Sequence, residues 1–236
     1  MEKQVDIRPG IALVQDSRFF PLGEDTVLLS AFAAPKKGAL GLDLGAGQGF
    51  LAILCGLRRP DLHLEGLELQ PEACALAQAN ARRAGLELPV TAGDLRQLPG
   101  ALHGRYDFVL CNPPYYEQAR GRTAQDGALA QARCDLGAGI GQVCRAAFLT
   151  LKTGGRLYLC FPAGRLPDLC VALEQNRLAP KRLRLVHAGP GKAAHLALMD
   201  AVKQGGPGLT VLPPLFVREE NGAPSREYRE IYGGIV

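Results

Sequence analysis

Leu40-Gly-Leu-Asp-Leu44 runs straight into Gly45-Ala46-Gly47-Gln48-Gly49, and Phe50 to Leu57 continues as an apolar stretch. The first part reads as a short buried strand and the last as a helix, so the alternating glycines form the turn between them. Glycine there lets the backbone bend sharply and approach a ligand, and the amides of the following helix favour a negative group. His63-Leu-Glu-Gly-Leu-Glu-Leu69 is a second strand, ending at Glu68. Pro71 to Ala84 is then a helix, with Pro71 in its first turn and Gly85 after its end. Leu88–Asp94 and Tyr106–Cys111 read as the third and fourth strands, and Gly154–Phe161 as the fifth. Cys134 to Leu151 and Arg165 to Asn176 read as helices. Lys181–His187 and His195–Lys203 alternate and sit close enough to pair as a terminal antiparallel hairpin. Strands alternating with helices imply an α/β fold, here a seven-stranded, mostly parallel sheet with that hairpin at its end.

Outside this core the reading is coarser. Pro9-Gly10, Pro21 and Gly23 break any long element in residues 1–24, whereas Asp25–Ala34 reads as a helix, with Asp25 as N-cap and Pro35 as terminator, covering the cleft. Pro213-Pro214 and Asn221-Gly222 give the tail an irregular return or a short strand. With no repeat, low-complexity segment or linker, a single domain is expected over 1–236: a cap segment at 1–38, a core at 39–203 and a tail at 204–236.

At 236 residues and 47% hydrophobic, the chain can bury a full α/β core in one domain. Its net charge of +4 comes from 27 basic and 23 acidic residues, with arginine in large excess over lysine. That permits a phosphate-bearing partner without requiring one. The 7 cysteines show no Cys-x-x-Cys pair and the 4 histidines no ligand-like spacing, so neither a disulfide framework nor a metal site is expected, and a reduced cytoplasm is. The start lacks the apolar core of a signal peptide, and no apolar run of about eighteen residues occurs, so no membrane association is expected.

Three successive strands end in an acid: Asp43, Glu68 and Asp94. A nicotinamide dinucleotide is the obvious rival ligand, but its usual pattern would place the third glycine at position 50, where Phe50 stands. A carboxylate at Asp43 suits a cationic amino acid ligand better than a pyrophosphate, and S-adenosylmethionine, with ammonium and sulfonium charges, fits. Glu68 lies where it can accept both ribose hydroxyls, and Asp94 where it can accept an adenine amino group. The expected cofactor-binding set is Asp43, Gly45, Ala46, Gly47, Gly49, Glu68, Leu69, Asp94, Leu95 and Asn112.

The fourth strand leads into Asn112-Pro113-Pro114-Tyr115. Two prolines stiffen the chain in an extended exit. The Asn112 amide oxygen and the Pro113 carbonyl can then accept the two hydrogens of an amino group, while Tyr115 stacks on a flat base or amide. Taken alone, the tetrapeptide is as readily an ordinary turn.

The order Asp43-Leu-Gly-Ala-Gly-Gln-Gly49, Glu68, Asp94, Asn112-Pro-Pro-Tyr115 resembles the class I S-adenosylmethionine-dependent amino methyltransferases, whose fold is Rossmann-like. Over its whole length the chain resembles the bacterial tRNA (adenine-N6)-methyltransferases that modify the adenine just after the anticodon (position 37) of a valine tRNA. That narrower match rests on Phe20-x-x-Gly23-x-Asp25-x-x-Leu28-Leu29, on Ala132-Arg133-x-Asp135, and on the ending from Pro213-Pro-Leu215 to Glu227-Tyr-x-x-Ile-Tyr-Gly233. Cys134 stands where that family often has an aromatic ring or histidine. The resemblance implies adenine N6 methylation in the anticodon arm of tRNA, with Asn112, Pro113, Pro114 and Tyr115 as catalytic residues. Arg120, Arg122, Arg133, Lys181 and Arg182 are the expected RNA contacts. Methylation of a protein glutamine amide is the alternative, disfavoured because its enzymes carry a larger helical domain ahead of the first strand. DNA adenine methylation and a catalytically silent RNA-binding protein are the remaining readings.

Overall fold

Residues 1–113 and 139–233 are described by a computed structural model. In chain order the elements are β1 (Glu2–Arg8), β2 (Ile11–Asp16), α1 (Glu24–Phe32), β3 (Leu40–Leu44), α2 (Phe50–Arg58), β4 (His63–Glu68), α3 (Pro71–Arg83), β5 (Val90–Ala92) and β6 (Tyr106–Cys111). They continue with α4 (Ile140–Thr150), β7 (Leu151–Pro162), α5 (Leu166–Gln175), β8 (Leu178–His187), β9 (Ala194–Lys203), β10 (Thr210–Val211), β11 (Leu215–Phe216) and α6 (Arg226–Gly233).

The main sheet runs β10-β8-β9-β7-β6-β3-β4-β5, with β11 also on β8. Its seven principal strands are those expected. β3 is parallel to both β4 and β6, and β9 lies antiparallel between β7 and β8. From β3 the chain builds outward first through β4 and β5, then on the other side from β6. Such a reversal opens a crevice at the carboxyl ends of the two central strands. Side chains alternate across the strands. In β6, Phe108 and Leu110 join the core under α1, α2 and α3, while Val109 and Cys111 join the core under α4 and α5.

Several boundaries differ from expectation: β7 begins at Leu151 and β8 at Leu178, each three residues early, and further differences lie at the two ends of the chain. Residues 2–16 form a hairpin, because Gly10 at φ 81° makes the turn that Pro9-Gly10 would otherwise only interrupt. The N-cap of α1 is Gly23, and Asp25 sits inside the first turn, where its Oδ1 accepts the Thr26 N–H at 2.8 Å. The third strand shortens to β5. The tail adds β10 and β11 alongside β8 and ends in α6, whose Tyr228, Ile231 and Tyr232 recur at helical spacing and pack against the core.

The hairpin is riveted to the core by two buried amides. Asn80 of α3 accepts from the Val14 N–H at 2.8 Å and donates to the Val14 carbonyl at 2.9 Å, so it pairs with β2 as a strand would. Gln48, in the glycine turn, accepts from the Asp16 N–H and donates to the Phe20 carbonyl, both at 2.7 Å. Residues 19–21 are thereby laid over the mouth of the crevice.

Candidate active site

At the carboxyl ends of β3, β4 and β6 lies a cleft of about 340 Å³, within the range of small-ligand sites. Its lining includes Phe20, Thr26, Asp43, Gly45, Ala46, Gly47, Glu68, Gln70, Leu95, Asn112 and Pro113.

The glycine turn forms its floor. Gly45 and Gly47 have positive φ, and nothing lies within 4 Å of where a Cβ would stand on either, so bare backbone faces open space. Gly49 works differently. At φ 85° it caps α2, and a Cβ there would stand 3.0 Å from that of Ala77, so it fits the turn against α3 and is not part of the cleft lining.

Glu68 closes one wall. It is 7% exposed; Oε2 accepts the Gly47 N–H at 2.8 Å and Oε1 the Gln70 N–H at 2.9 Å. An ionised carboxylate has about four acceptor positions, so two remain for a ligand's hydroxyls. Asp43, 1% exposed, accepts the Ala52 N–H at 3.1 Å and ties β3 to α2. Burial pushes its carboxyl up to about 7; the Glu68 charge adds to this and the Ala52 hydrogen bond opposes it. Asp94 is not drawn into the cleft. Its oxygens lie on the Arg96 guanidinium at 2.8–3.0 Å, which holds the carboxyl below the usual range, and only its neighbour Leu95 reaches the lining. Leu69 also stays outside, and Gln70 takes its place.

Opposite the glycine turn, Asn112 leaves the tip of β6. Its Nδ2 donates to Thr26 Oγ1 at 2.9 Å, and its Oδ1 accepts from the Cys160 thiol at 3.1 Å. Pro113 follows, buried against the cleft. Pro114, Tyr115, Arg120, Arg122, Arg133 and Cys134 lie outside the described residues. Of the remaining expected RNA contacts, Lys181 donates to the Gly206 carbonyl at 2.6 Å. Arg182 is level with Leu110 but three strands away, with Nε 2.8 Å from the fully buried Asp200 and its guanidinium over the Phe32 ring. Arg156 holds the same carboxylate at 2.7 Å. Both basic side chains are thus engaged in the fold. Sequence reasoning gave no site role to Phe20, Thr26, Gln48 or Gln70, although Phe20 and Gln48 stood within quoted motifs and Thr26 in the helix expected over the cleft.

Among the described residues no group of three or more His, Cys, Asp or Glu side chains could hold a metal ion. The cleft instead offers carboxylates and bare backbone on one side and an oriented amide on the other. A donor set of this kind fits a cationic, hydroxyl-bearing nucleoside such as S-adenosylmethionine.

Sheet order and cleft together define a Rossmann-like methyltransferase. A predicted O-methyltransferase of Agrobacterium tumefaciens has the same fold, with a TM-score of 0.72 and 22% identity over 89% of this chain and 96% of that one. The model of the methyltransferase small domain matches residues 24–160, and the chain belongs to that family. It is 32% identical over 183 residues to the tRNA1(Val) (adenine(37)-N6)-methyltransferase of Porphyromonas gingivalis, covering 72% of this chain and 70% of the relative. The Yersinia enterocolitica protein of the same name is 27% identical over 211 residues, 88% of this chain and 82% of that one.

Proposed function

We propose that this protein transfers a methyl group from S-adenosylmethionine to N6 of an adenine in tRNA, at position 37 of a valine tRNA, and does so in the cytoplasm, where tRNA is found. The carrying observation is that Asn112, with its amide oriented by Thr26 and Cys160, shares one cleft with the Gly45–Gly47 turn and Glu68. The names of the relatives support the tRNA and the adenine position, and the shared cleft supports the chemistry.

When bound, the cofactor presents a methyl group on a sulfonium. Glu68 accepts ribose hydroxyls with its two remaining acceptor positions, and the turn at Gly45 and Gly47 lets the ligand approach the backbone. Asp43 stiffens the strand end behind that turn. Adenine N6 is a weak nucleophile, because its lone pair is delocalised into the ring. Asn112 Oδ1 and the Pro113 carbonyl accept its two hydrogens, stabilise positive charge as it develops and turn the lone pair toward the methyl, so that the N–C bond forms as the S–C bond breaks and N6 then gives up one of its two protons to water. Pro113 is followed by another proline, so its carbonyl is held still. Stacking on Tyr115, worth about 1–3 kcal/mol per base, would retain the adenine once it leaves the anticodon loop.

Incubating the protein with methyl-labelled S-adenosylmethionine and, in separate reactions, unmodified valine tRNA, DNA and protein extract tests this. Label is expected in tRNA alone, and nuclease digestion should release N6-methyladenosine. Label in a glutamine side chain, or none in tRNA, refutes it.

A further inference from the structure

The Asn112 amide lies inside a hydrogen-bond chain, with a partner on each of its two ends. A carboxylate accepts and does not donate, and Asp25 Oδ1 lies 2.8 Å from the Thr26 N–H and 3.5 Å from Thr26 Oγ1. Asp25 Oδ1 is a long-range acceptor for the Thr26 hydroxyl, whose lone pairs are taken by Asn112 Nδ2 at 2.9 Å. At the other end the Cys160 thiol, 3.1 Å away, gives its hydrogen to Asn112 Oδ1. The two ends of an asparagine amide are nearly isosteric, and a half-turn of the group exchanges them. Here an acceptor faces the NH2 end and a donor the oxygen end. Both favour the same orientation, and they come from α1 and β7, elements remote in sequence from β6.

We infer that Thr26 is a positioning residue for the transfer: by accepting from Nδ2 it keeps Oδ1 facing as an acceptor toward the substrate's amino group. The inference rests on the function proposed above. In the reversed orientation the amide would set N–H against N–H, and the amino group would lose one of its two acceptors.

Thr26→Val replaces the hydroxyl with a methyl of nearly the same shape, and Thr26→Ser keeps the hydroxyl. In Thr26→Val, kcat should fall about tenfold, the effect of one hydrogen bond, with KM for tRNA and cofactor affinity within about twofold. Thr26→Ser should recover most of the lost kcat. Independently of turnover, the side-chain NH2 resonances of Asn112 in 15N-labelled protein, assigned through Asn112→Asp, should move in Thr26→Val and return in Thr26→Ser. If Thr26→Val does not fold, Thr26→Ala against Thr26→Ser makes the same comparison. Unmoved resonances overturn the inference. So do a kcat kept within about twofold, a loss of cofactor affinity as large as the loss of kcat, or a serine variant that recovers nothing. A wild-type protein that methylates no tRNA would refute the proposed function, while the resonances alone would still decide whether Thr26 holds the amide.

Discussion

Replacing Glu68 with alanine should cost this protein most of its affinity for S-adenosylmethionine. Two acceptor positions of the Glu68 carboxylate are taken by the Gly47 and Gln70 N–H groups at 2.8 and 2.9 Å. In the proposed function the other two accept the ribose hydroxyls. A hydrogen bond to a charged group contributes about 1.5–3 kcal/mol. Losing two of them at the lower figure removes about 3 kcal/mol of binding, or roughly a hundredfold in Kd. The Gly47 N–H also loses its acceptor, so the turn loosens and the unliganded protein should melt lower. Glu68→Gln separates the two effects. Its amide can keep only one oxygen, so it must give up either the Gly47 or the Gln70 bond and should fall between wild type and alanine. Isothermal calorimetry with S-adenosylmethionine and thermal unfolding without it read the two quantities apart. An unchanged Kd in Glu68→Ala refutes the assignment, whatever happens to stability.

Asn112→Ala should lower kcat by about a hundred- to a thousandfold if it removes the proposed acceptor for developing charge, with cofactor affinity changed only a few-fold; undiminished turnover refutes the amine clamp. Gly49→Ala forces a side chain into left-handed backbone at φ 85° and to 3.0 Å from Ala77 Cβ. Urea unfolding should show a loss of about 2 kcal/mol, and a loss under about 0.5 kcal/mol would show that the turn gives way freely. For Asp43, burial raises the carboxyl from 3.8 to about 7. Between those values the folded chain holds a proton that the unfolded chain has released, so Asp43 makes stability fall as pH rises through that window. Asp43→Asn should flatten the wild-type profile there, and superimposable profiles would refute the assignment. Arg182→Ala should lower stability by about 2 kcal/mol, less than for a fully buried pair because Arg156 still holds Asp200, and should change the KM for tRNA little. A large rise in KM with stability unchanged would return Arg182 to the RNA surface.

The parallel core was legible because its signals are local. A glycine turn after an apolar strand, a proline at a helix start and acids at three strand tips each announce themselves within a few residues. What could not be read depends on partners far apart in the chain. Gln48 reaches Asp16 and Phe20 across a turn and a hairpin, and Asn112 meets Thr26 86 residues away. Pro9-Gly10 was ambiguous by itself, because the same pair ends an element or joins two strands. Lys181 and Arg182 were expected as RNA contacts from their place in a basic run, and their partners in the fold, the Gly206 carbonyl and the buried Asp200, lie at long range in the sequence. Asp94 shows the limit of reading strand tips: the acid is there, but Arg96 two residues on is a nearer partner than any ligand in the cleft.

The wedging of β9 between β7 and β8 also sets an order of assembly. While residues 194–203 remain inside a ribosome, β8 has no strand to join, and the outer edge of β7, with Leu157, Leu159 and Phe161, stands open. An apolar edge of that kind invites pairing with other chains. A nascent chain stalled just short of residue 194 should therefore be sticky and protease-sensitive, and release of some ten further residues should close it.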